Sequence, residues 1–329
     1  MASILLERNE VFMTAALILA AGDVSGDDKF GPMDIIGEVS SIKRVILVYK
    51  QSGIKKIVVV TGYGAEALER HCSHLGVVFL RNDDYESSDM LKSAKIGLTY
   101  LADKCSSAFI SPADIPLFSA ETVKSMVNKQ GSVIIPMHNN KTGHPLLLSR
   151  NLFEKVIEYK GTDGLEGALS GGDVERVFFD VQDVGIVTHV QGGMDLSGII
   201  EAHSLRSIRA ENKIMLTGEK GFFGPGAMHL LTLTNETGSL RQAAQQMGVS
   251  YSKAWKMITD IEDQLGVSIL KSKAGGQKGG GSELTESGHE LMRRYEMLEI
   301  ESADYVQRSF ERIFATPLYP KPEQNQCTE

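Results

Sequence analysis

Short apolar runs alternate with segments of helical periodicity between residues 14 and 136, and this alternation restricts the fold more than any other feature. The runs at 14–22 (TAALILAAG) and 57–61 (IVVVT) are typical of buried parallel strands, and residues 37–52 between them have helical spacing. The same pattern predicts strands at 77–80, 108–111 and 132–136 and helices at 64–74, 90–103 and 121–128. We therefore expect an α/β domain with a mostly parallel sheet covered on both faces. Ligands bind such sheets at the carboxyl ends of the strands, so the candidate loops follow Gly22, Thr61 and Ser111.

The composition is that of an ordinary globular protein, with 42% hydrophobic and 23% charged residues in a chain of 329, long enough for two domains. No apolar run reaches the roughly 18 residues of a membrane-spanning helix. The segment MASILLERNEVFM has acids where a secretory signal would be basic, and the three cysteines show no pairing or zinc-site spacing. We expect a cytoplasmic protein with no membrane partner. The net charge of -8 argues against a generally basic protein but permits a local basic patch.

The pattern changes after a mixed polar stretch, and we place a domain boundary near Glu211. Three short helical segments follow between residues 226 and 265, and then the glycine- and lysine-rich run KSKAGGQKGGG at 271–281. A long charged helix is predicted at 286–314. The tail at 316–329 is broken by prolines, and we expect it to be disordered.

The first apolar run ends in LAAG, and a glycine-ended strand that leads into a loop and a helix is a phosphate-binding arrangement, since loop N–H groups can face anionic oxygens. A simple strand-to-helix turn is the alternative. Three further segments follow in order: VVVTGYGAEALE, NDDYESSDMLKSAKIGL and SPADIPLF. Together with LAAG they closely resemble the MobA-like nucleotidyltransferases, particularly the molybdenum cofactor cytidylyl- and guanylyltransferases, over residues 13–203.

This resemblance implies a Rossmann-like nucleotidyltransferase fold with CTP or GTP as the nucleotide and molybdopterin as the acceptor. It implies that Asp114 in the PADIPL segment binds a catalytic Mg²⁺, which would neutralise charge on the triphosphate as pyrophosphate leaves. The segment Gly143, His144 and Pro145 resembles the substrate-side GHP segment of the family, with a plain turn as the alternative. The nucleotide-binding residues that the resemblance implies are Leu19, Ala20, Ala21, Gly22, Ser25, Thr61 and Gly62.

The chain departs from the family at the residues that hold the triphosphate. The family loop is LAAG-x-S-x-R-M-G-x-x-K, whereas Gly26 stands at the arginine position here and Gly31 or its neighbour at the lysine position. Lys29 lies close by and is our candidate for the missing cation. The family ends this domain with D-x-D-T-P-x-D, but His189 and Gln191 stand where the two acids would be. The loop also carries four acids, which disfavour a triphosphate: Asp23, Asp27, Asp28 and Asp34. Whether the domain is an active enzyme stays open.

The second half of the chain has the pattern of a helix-turn-helix. Ser239 and Ser250 are good N-caps for two helices, and Gly248 permits the tight turn between them. An ordinary three-helix bundle is the alternative. The start of the second of these helices offers donors for bases and phosphates at Ser250, Tyr251, Ser252, Lys253 and Lys256. Residues 267–270 and 283–284 could pair as a small ribbon, the wing, whose lysines Lys271, Lys273 and Lys278 suit the phosphate backbone.

The runs GSLRQAAQQMGVSYSKAWKMI and LGVSILKSKAGGQKGGGSELTESG closely resemble the DNA-binding domain of ModE-type regulators, and more distantly the LysR-type winged helix. The resemblance covers residues 215–315 and implies an α+β winged helix-turn-helix domain that binds double-stranded DNA. In that family the long helix pairs two subunits, which implies a homodimer through residues 286–314, although a solvated charged face is the alternative. Three hypotheses follow: a DNA-binding regulator with a degenerate transferase domain, an active transferase with a regulatory domain, and an adaptor in molybdenum-enzyme maturation.

Overall fold

The computed structural model describes residues 14–22, 30–87, 89–172, 174–191, 194–200, 210, 212–273 and 281–314. The chain divides into two compact units, Met1–Ser207 and Ile208–Glu329. The strands of the first unit are β1 (Thr14–Ala20), β2 (Ile35–Ile36), β3 (Val39–Ser40), β4 (Ile57–Thr61), β5 (Val78–Arg81), β6 (Ser107–Pro112), β7 (Val133–His138), β8 (Lys141–Thr142), β9 (Leu146–Ser149) and β10 (Arg176–Asp180). Its helices are α1 (Ser41–Gln51), α2 (Ala65–Cys72), α3 (Met90–Leu101), α4 (Ala120–Val127), α5 (Phe153–Glu158) and α6 (Gly164–Leu169).

The main sheet of this unit is mostly parallel, which confirms the predicted α/β class. Its strand order is β10-β7-β9-β6-β1-β4-β5, and β8 pairs with β7. The pairs of β1 with β4, β1 with β6, β4 with β5, and β10 with β7 are parallel. Strand β9 runs antiparallel to both β6 and β7.

Strand β1 is apolar after Thr14 because helices cover the sheet on both sides. Ala15, Leu17 and Leu19 belong to the core beneath α3, whereas Ala16 and Ile18 belong to the core beneath α1 and α4. A Cβ at Gly97 of α3 would lie only 2.1 Å from Leu17 Cδ1, so the glycine lets α3 approach β1 closely. This packing brings the first turn of α3 to the carboxyl end of β1.

Several elements of the first unit differ from the sequence prediction. The helix predicted at 37–52 begins only at Ser41, because residues 35–40 form the antiparallel β2–β3 hairpin. Strands β9 and β10 and helices α5 and α6 were not predicted. The two strands extend the sheet beyond β6, and β9 lies between β6 and β7 although it follows both in the chain.

The second unit is a winged helix-turn-helix. Its elements are β11 (Leu216–Thr217), β12 (Gly221–Phe223), α7 (Pro225–Thr237), α8 (Leu240–Gln246), α9 (Tyr251–Leu265), β13 (Leu270–Lys273), β14 (Gly281–Leu284) and α10 (Glu286–Ile313). The Ser239 hydroxyl accepts a hydrogen bond from the Gln242 N–H, and the Ser250 hydroxyl accepts one from the Lys253 N–H, so both predicted N-caps form. Gly248 adopts φ +67°, as a tight turn between α8 and α9 requires.

The core of this unit lies between α7, α8, α9 and the wing. Small Ala243 and Ala244 are buried where α8 crosses α7, and Ala254 is buried in α9. The Phe223 and Tyr295 rings meet edge-on with centroids 4.9 Å apart, which ties α10 to the β11–β12 hairpin. No helix among the described residues is both long and apolar enough to span a membrane.

Two boundaries of this unit differ from the prediction. The wing strand expected at 267–270 begins at Leu270, because residues 266–269 form the connection from α9 and Val267 is exposed. Helix α7 begins at Pro225, one residue before the predicted start of the helical segments at 226, since proline is favoured in the first helical turn. The tail predicted to be disordered at 316–329 lies outside the described residues.

Candidate functional site

A cleft of about 280 Å³ lies at the carboxyl ends of β1 and β6. Five residues predicted for the site lie together in it: Leu19, Ala20, Ala21, Gly22 and Asp114. The described lining includes two carboxylates, those of Asp89 and Asp114, and no lysine or arginine. The electrostatic environment of the described part of the cleft is therefore acidic.

A second cleft of about 510 Å³ adjoins the first. It includes the predicted residues Gly143 and His144, together with Lys141 and His189. His189 Nδ1 lies 3.1 Å from Asp114 Oδ2, so the two clefts meet at this His–Asp pair. Both side chains are substantially exposed, at 60% for His189 and 45% for Asp114. A ligand that spans the two clefts would contact the pair.

A buried carboxylate holds the segment that carries His189. Asp183 accepts hydrogen bonds from the Ser119 N–H at 2.8 Å, the Thr122 hydroxyl at 2.6 Å and the Gly185 N–H at 3.0 Å. A Cβ at Gly185 would lie 1.7 Å from the Leu117 carbonyl oxygen, so only glycine permits this approach. The Val190 N–H then donates to the Asp114 carbonyl at 2.9 Å. These contacts fix His189 beside Asp114.

His144 is enclosed between the strands that border the second cleft. Its N–H donates to the Ile186 carbonyl at 2.8 Å, and the His144–Pro145 peptide bond is cis. Burial lowers the pKa of His144, so the imidazole is neutral at pH 7. Its Nδ1 atom is buried without a hydrogen-bond partner among the described residues. The predicted Pro145 is buried and does not belong to the lining of either cleft.

Two other predicted nucleotide-binding residues, Thr61 and Gly62, do not line the first cleft. Thr61 is fully buried, and its hydroxyl donates to the Leu80 carbonyl. A Cβ at Gly62 would lie 2.6 Å from the Ala21 carbonyl oxygen, so Gly62 supports the cleft by close backbone packing. Ser25 and Lys29 lie outside the described residues.

Helix α3 contributes cleft residues that sequence reasoning missed, namely Asp89, Met90 and Ser93. Asp89 caps the helix by accepting a hydrogen bond from the Lys92 N–H, and the Ser93 hydroxyl accepts one from buried Asn82 at 3.1 Å. These residues belong to the NDDYESSDMLKSAKIGL segment. The segment carried the resemblance, and its spacing gave no sign of which side chains face the cleft.

The second candidate site is the exposed start of α9. All five residues predicted to bind DNA there are exposed: Ser250, Tyr251, Ser252, Lys253 and Lys256. The first acid along the helix is Asp260, which forms an ion pair with Lys220 at 2.7 Å. The charge at the start of α9 is therefore positive, which suits a polyanion.

The base of the wing is held at three places. The Glu262 carboxylate accepts hydrogen bonds from the Ile269 N–H at 2.7 Å and the Leu270 N–H at 3.2 Å. The Ser282 N–H donates to the Gly238 carbonyl at 2.9 Å, and the Thr285 hydroxyl donates to the Ser268 carbonyl at 2.7 Å. Lys271 on β13 lies 3.6 Å from Glu283 on β14, Lys273 ends β13, and Lys278 lies outside the described residues.

Comparison with family models assigns the two units. Residues 16–177 match the MobA-like NTP transferase domain, and residues 226–289 match the bacterial regulatory helix-turn-helix protein, lysR family. The chain joins a MobA-like NTP transferase domain to a LysR-type helix-turn-helix domain. The resemblance inferred from the motifs is confirmed.

Curated relatives match one domain or the other. The NTP transferase domain side matches the molybdenum cofactor cytidylyltransferase of Escherichia coli (strain K12), with 28% identity over 120 residues, 36% of this chain and 61% of that protein. The helix-turn-helix side matches the DNA-binding transcriptional dual regulator ModE of the same organism, with 36% identity over 94 residues, 28% of this chain and 34% of that protein. The chain thus spans less than two thirds of either relative.

Solved structures also match. A nucleotidyl transferase from Methanothermobacter thermautotroptrophicus has a TM-score of 0.48 and 18% identity, and the match covers 59% of this chain and 97% of that one. A Mycobacterium tuberculosis H37Rv protein solved in complex with manganese has a TM-score of 0.46 and 16% identity, and that match covers 52% of this chain and 89% of the other.

Proposed function

We propose that this chain is a DNA-binding transcriptional regulator of the ModE type that carries a MobA-like domain with a degenerate triphosphate loop. The observation that carries the proposal is the start of α9, where all five predicted contact residues are exposed and no acid occurs before Asp260. We propose domain limits of 13–203 and 215–315 and a cytoplasmic location. Relatives of both domains support a link to molybdenum cofactor metabolism, because a relative of each domain has molybdenum in its name.

A homodimer through residues 286–314 is part of this proposal. Helix α10 exposes large apolar side chains from its middle to its C-terminal end: Met297, Leu298, Ile300, Tyr305 and Ile313. A lone charged helix gains nothing from exposing these groups, whereas a second copy of α10 would bury them. A dimer also places two recognition helices on two half-sites of DNA.

The acidic character of the first cleft is the reason to favour regulation over catalysis. A triphosphate needs cations, and the described lining offers two carboxylates and no base. Among the described residues, no three His, Cys, Asp or Glu side chains converge on one point. Asp114 could still hold Mg²⁺ with water and phosphate oxygens as the remaining ligands, which is how Mg²⁺ commonly binds. Bound there, the ion would supply charge neutralisation at the α-phosphate.

An active Mg²⁺-dependent nucleotidyltransferase is the alternative, and the position of Asp114 where the two clefts meet favours it. Calorimetric titration with CTP, GTP and ATP, each with Mg²⁺, separates the two functions. The matched control for Asp114→Ala is Asp103→Ala. Asp103 is exposed and follows the C-terminal end of α3, which is the end away from the cleft. Micromolar binding of one nucleotide that only Asp114→Ala abolishes would favour the alternative. Absence of nucleotide binding is the result that we expect.

DNA binding itself is tested through its salt dependence. Each neutralised phosphate contributes about -0.9 to the slope of log K against log salt concentration. Changing Lys271, Lys273 and Lys278 to glutamine should flatten the slope by up to about 2.7. A control with the same charge change carries Lys92→Gln, Lys104→Gln and Lys124→Gln in the NTP transferase domain and should keep the wild-type slope. An unchanged slope in the wing variant would overturn the role of the wing.

A further inference from the structure

Two large aromatic side chains are exposed on the helix that we propose to enter DNA. Tyr251 is 43% exposed and Trp255 is 48% exposed. Their rings stack with centroids 6.4 Å apart and an interplanar angle of 26°. The guanidinium of Arg241 on α8 lies 5.0 Å from the centre of the Tyr251 ring. Aromatic side chains exposed together in this way mark an interaction surface, since burying them stabilises a complex.

The surroundings of this pair decide which partner it fits. Lys253 and Lys256 are exposed on the same two turns of α9, and Arg241 borders the pair from α8. No acid lies between Leu240 and Thr259. The surface is thus an apolar patch within a cationic face, and its partner should be a polyanion that also presents apolar groups. In double-stranded DNA the apolar group on the base edges of the major groove is the C5-methyl of thymine.

We propose that the Tyr251–Trp255 pair contacts thymine methyl groups in the major groove and gives the protein a preference for A·T base pairs at two positions about two base-pair steps apart. This inference rests on the proposed DNA-binding function and deepens it. The two residues are four apart on α9, so they lie one above the other on one stripe, with a rise of about 6 Å between them. That rise corresponds to about two base-pair steps of 3.4 Å each. Arg241 holds the Tyr251 ring in the stacked orientation by its cation–π contact.

The test compares thymine with uracil, which differ only by the C5-methyl group. A duplex selected by the full chain from a random-sequence pool is synthesised with thymine and, in parallel, with uracil at each position in turn. Trp255 is the single tryptophan of the chain, so its fluorescence reports directly on this surface during the titration. Each contacted methyl group that is removed should weaken binding about fourfold, as expected for one buried methyl(ene) group.

The variants are Trp255→Ala and Tyr251→Ala, both at exposed positions. Their DNA binding is measured by the fluorescence anisotropy of labelled duplexes. Phe178→Ala in β10 is the matched control, because Phe178 is also 48% exposed but lies in the other unit. The proposal requires that the wild type and Phe178→Ala distinguish thymine from uracil at both contacted positions. It also requires that Trp255→Ala and Tyr251→Ala each lose this distinction at the position that the missing ring contacted. Equal binding of both duplexes by the wild type overturns the inference alone. Failure of the wild type to select any duplex overturns the proposed DNA-binding function and this inference with it.

Discussion

Replacing Glu262 by alanine is expected to loosen the wing, because this carboxylate accepts both backbone hydrogen bonds where α9 leads into β13. Glu262 lies in the last turn of α9, and its side chain is partly buried. Ile269, whose N–H it receives, is fully buried in the core of the helix-turn-helix domain. In the alanine variant this N–H and that of Leu270 would lose their partner.

The magnitude follows from the two hydrogen bonds. A hydrogen bond to a neutral group contributes about 1 kcal/mol and one to a buried charged group about 1.5–3 kcal/mol. Solvent screens the partly exposed carboxylate, so we take the lower figure and expect the free energy of unfolding to fall by about 2 kcal/mol in total. Glu262→Gln keeps the acceptor oxygen, so on the same figure it should stay within about 0.5 kcal/mol of the wild type. For a domain of this size, 2 kcal/mol lowers the melting temperature by roughly 10 °C.

Trp255 fluorescence provides the assay, because the single tryptophan lies in α9 and follows the unfolding of the second unit in the full chain. Asp263→Ala is the matched control. It removes the same charge from the same helical turn, so it cancels any effect of the helix dipole, and Asp263 is exposed. We expect the control to unfold within about 0.5 kcal/mol of the wild type. If Glu262→Ala unfolds together with Asp263→Ala, the two backbone hydrogen bonds do not stabilise the wing and the reasoning is wrong.

Three further predictions concern the remaining parts of the chain. Gly62→Ala should lower the stability of the first unit by about 1–3 kcal/mol, measured by thermal circular dichroism, because its Cβ would meet the Ala21 carbonyl at 2.6 Å; an unchanged melting curve would contradict this. Since burial lowers the pKa of His144, the folded state resists its protonation, so stability is full above the ordinary histidine pKa of about 6.5 and declines as pH falls below it. His144→Gln should flatten that decline in denaturation curves between pH 7 and pH 5, and parallel curves would refute the assignment. Leu298→Asp should convert the proposed dimer to a monomer by light scattering, with Glu301→Ala as the control that stays dimeric.

The sequence predicts best those elements whose residues face the same environment along their whole length. Strands β1 and β4 are buried on both faces, so their apolar runs are continuous, and α10 ends within one residue of its predicted limit at 314. The sequence does not predict strand β9, because its four residues, LLLS, are too few to show the two-residue alternation of a strand. Its antiparallel place between β6 and β7 depends on long-range pairing, which no local pattern encodes.

In the candidate site, too, local motifs predict some features and long-range contacts determine the others. The PADIPL segment marks Asp114, and comparison with the family motif places His189 at an acid position, but their 3.1 Å contact joins residues 75 positions apart. The buried Asp183 that fixes this geometry lies in no motif. Thr61 was predicted to bind the nucleotide, but its side chain is fully buried, because a residue at the end of a strand can turn its side chain into the core. Motifs identify which residues can do chemistry, and tertiary contacts determine which of them meet.

The anchored base of the wing has a consequence for how such a domain can change. Glu262, the Gly238 carbonyl and Thr285 fix where β13 and β14 leave the body of the domain, independently of what connects the strands. Residues can therefore be inserted or deleted between Lys273 and Gly281 without turning α9. Under the proposed function, contact with the phosphate backbone and choice of bases are then separable traits, so a change in wing length would alter overall affinity while the operator stays the same.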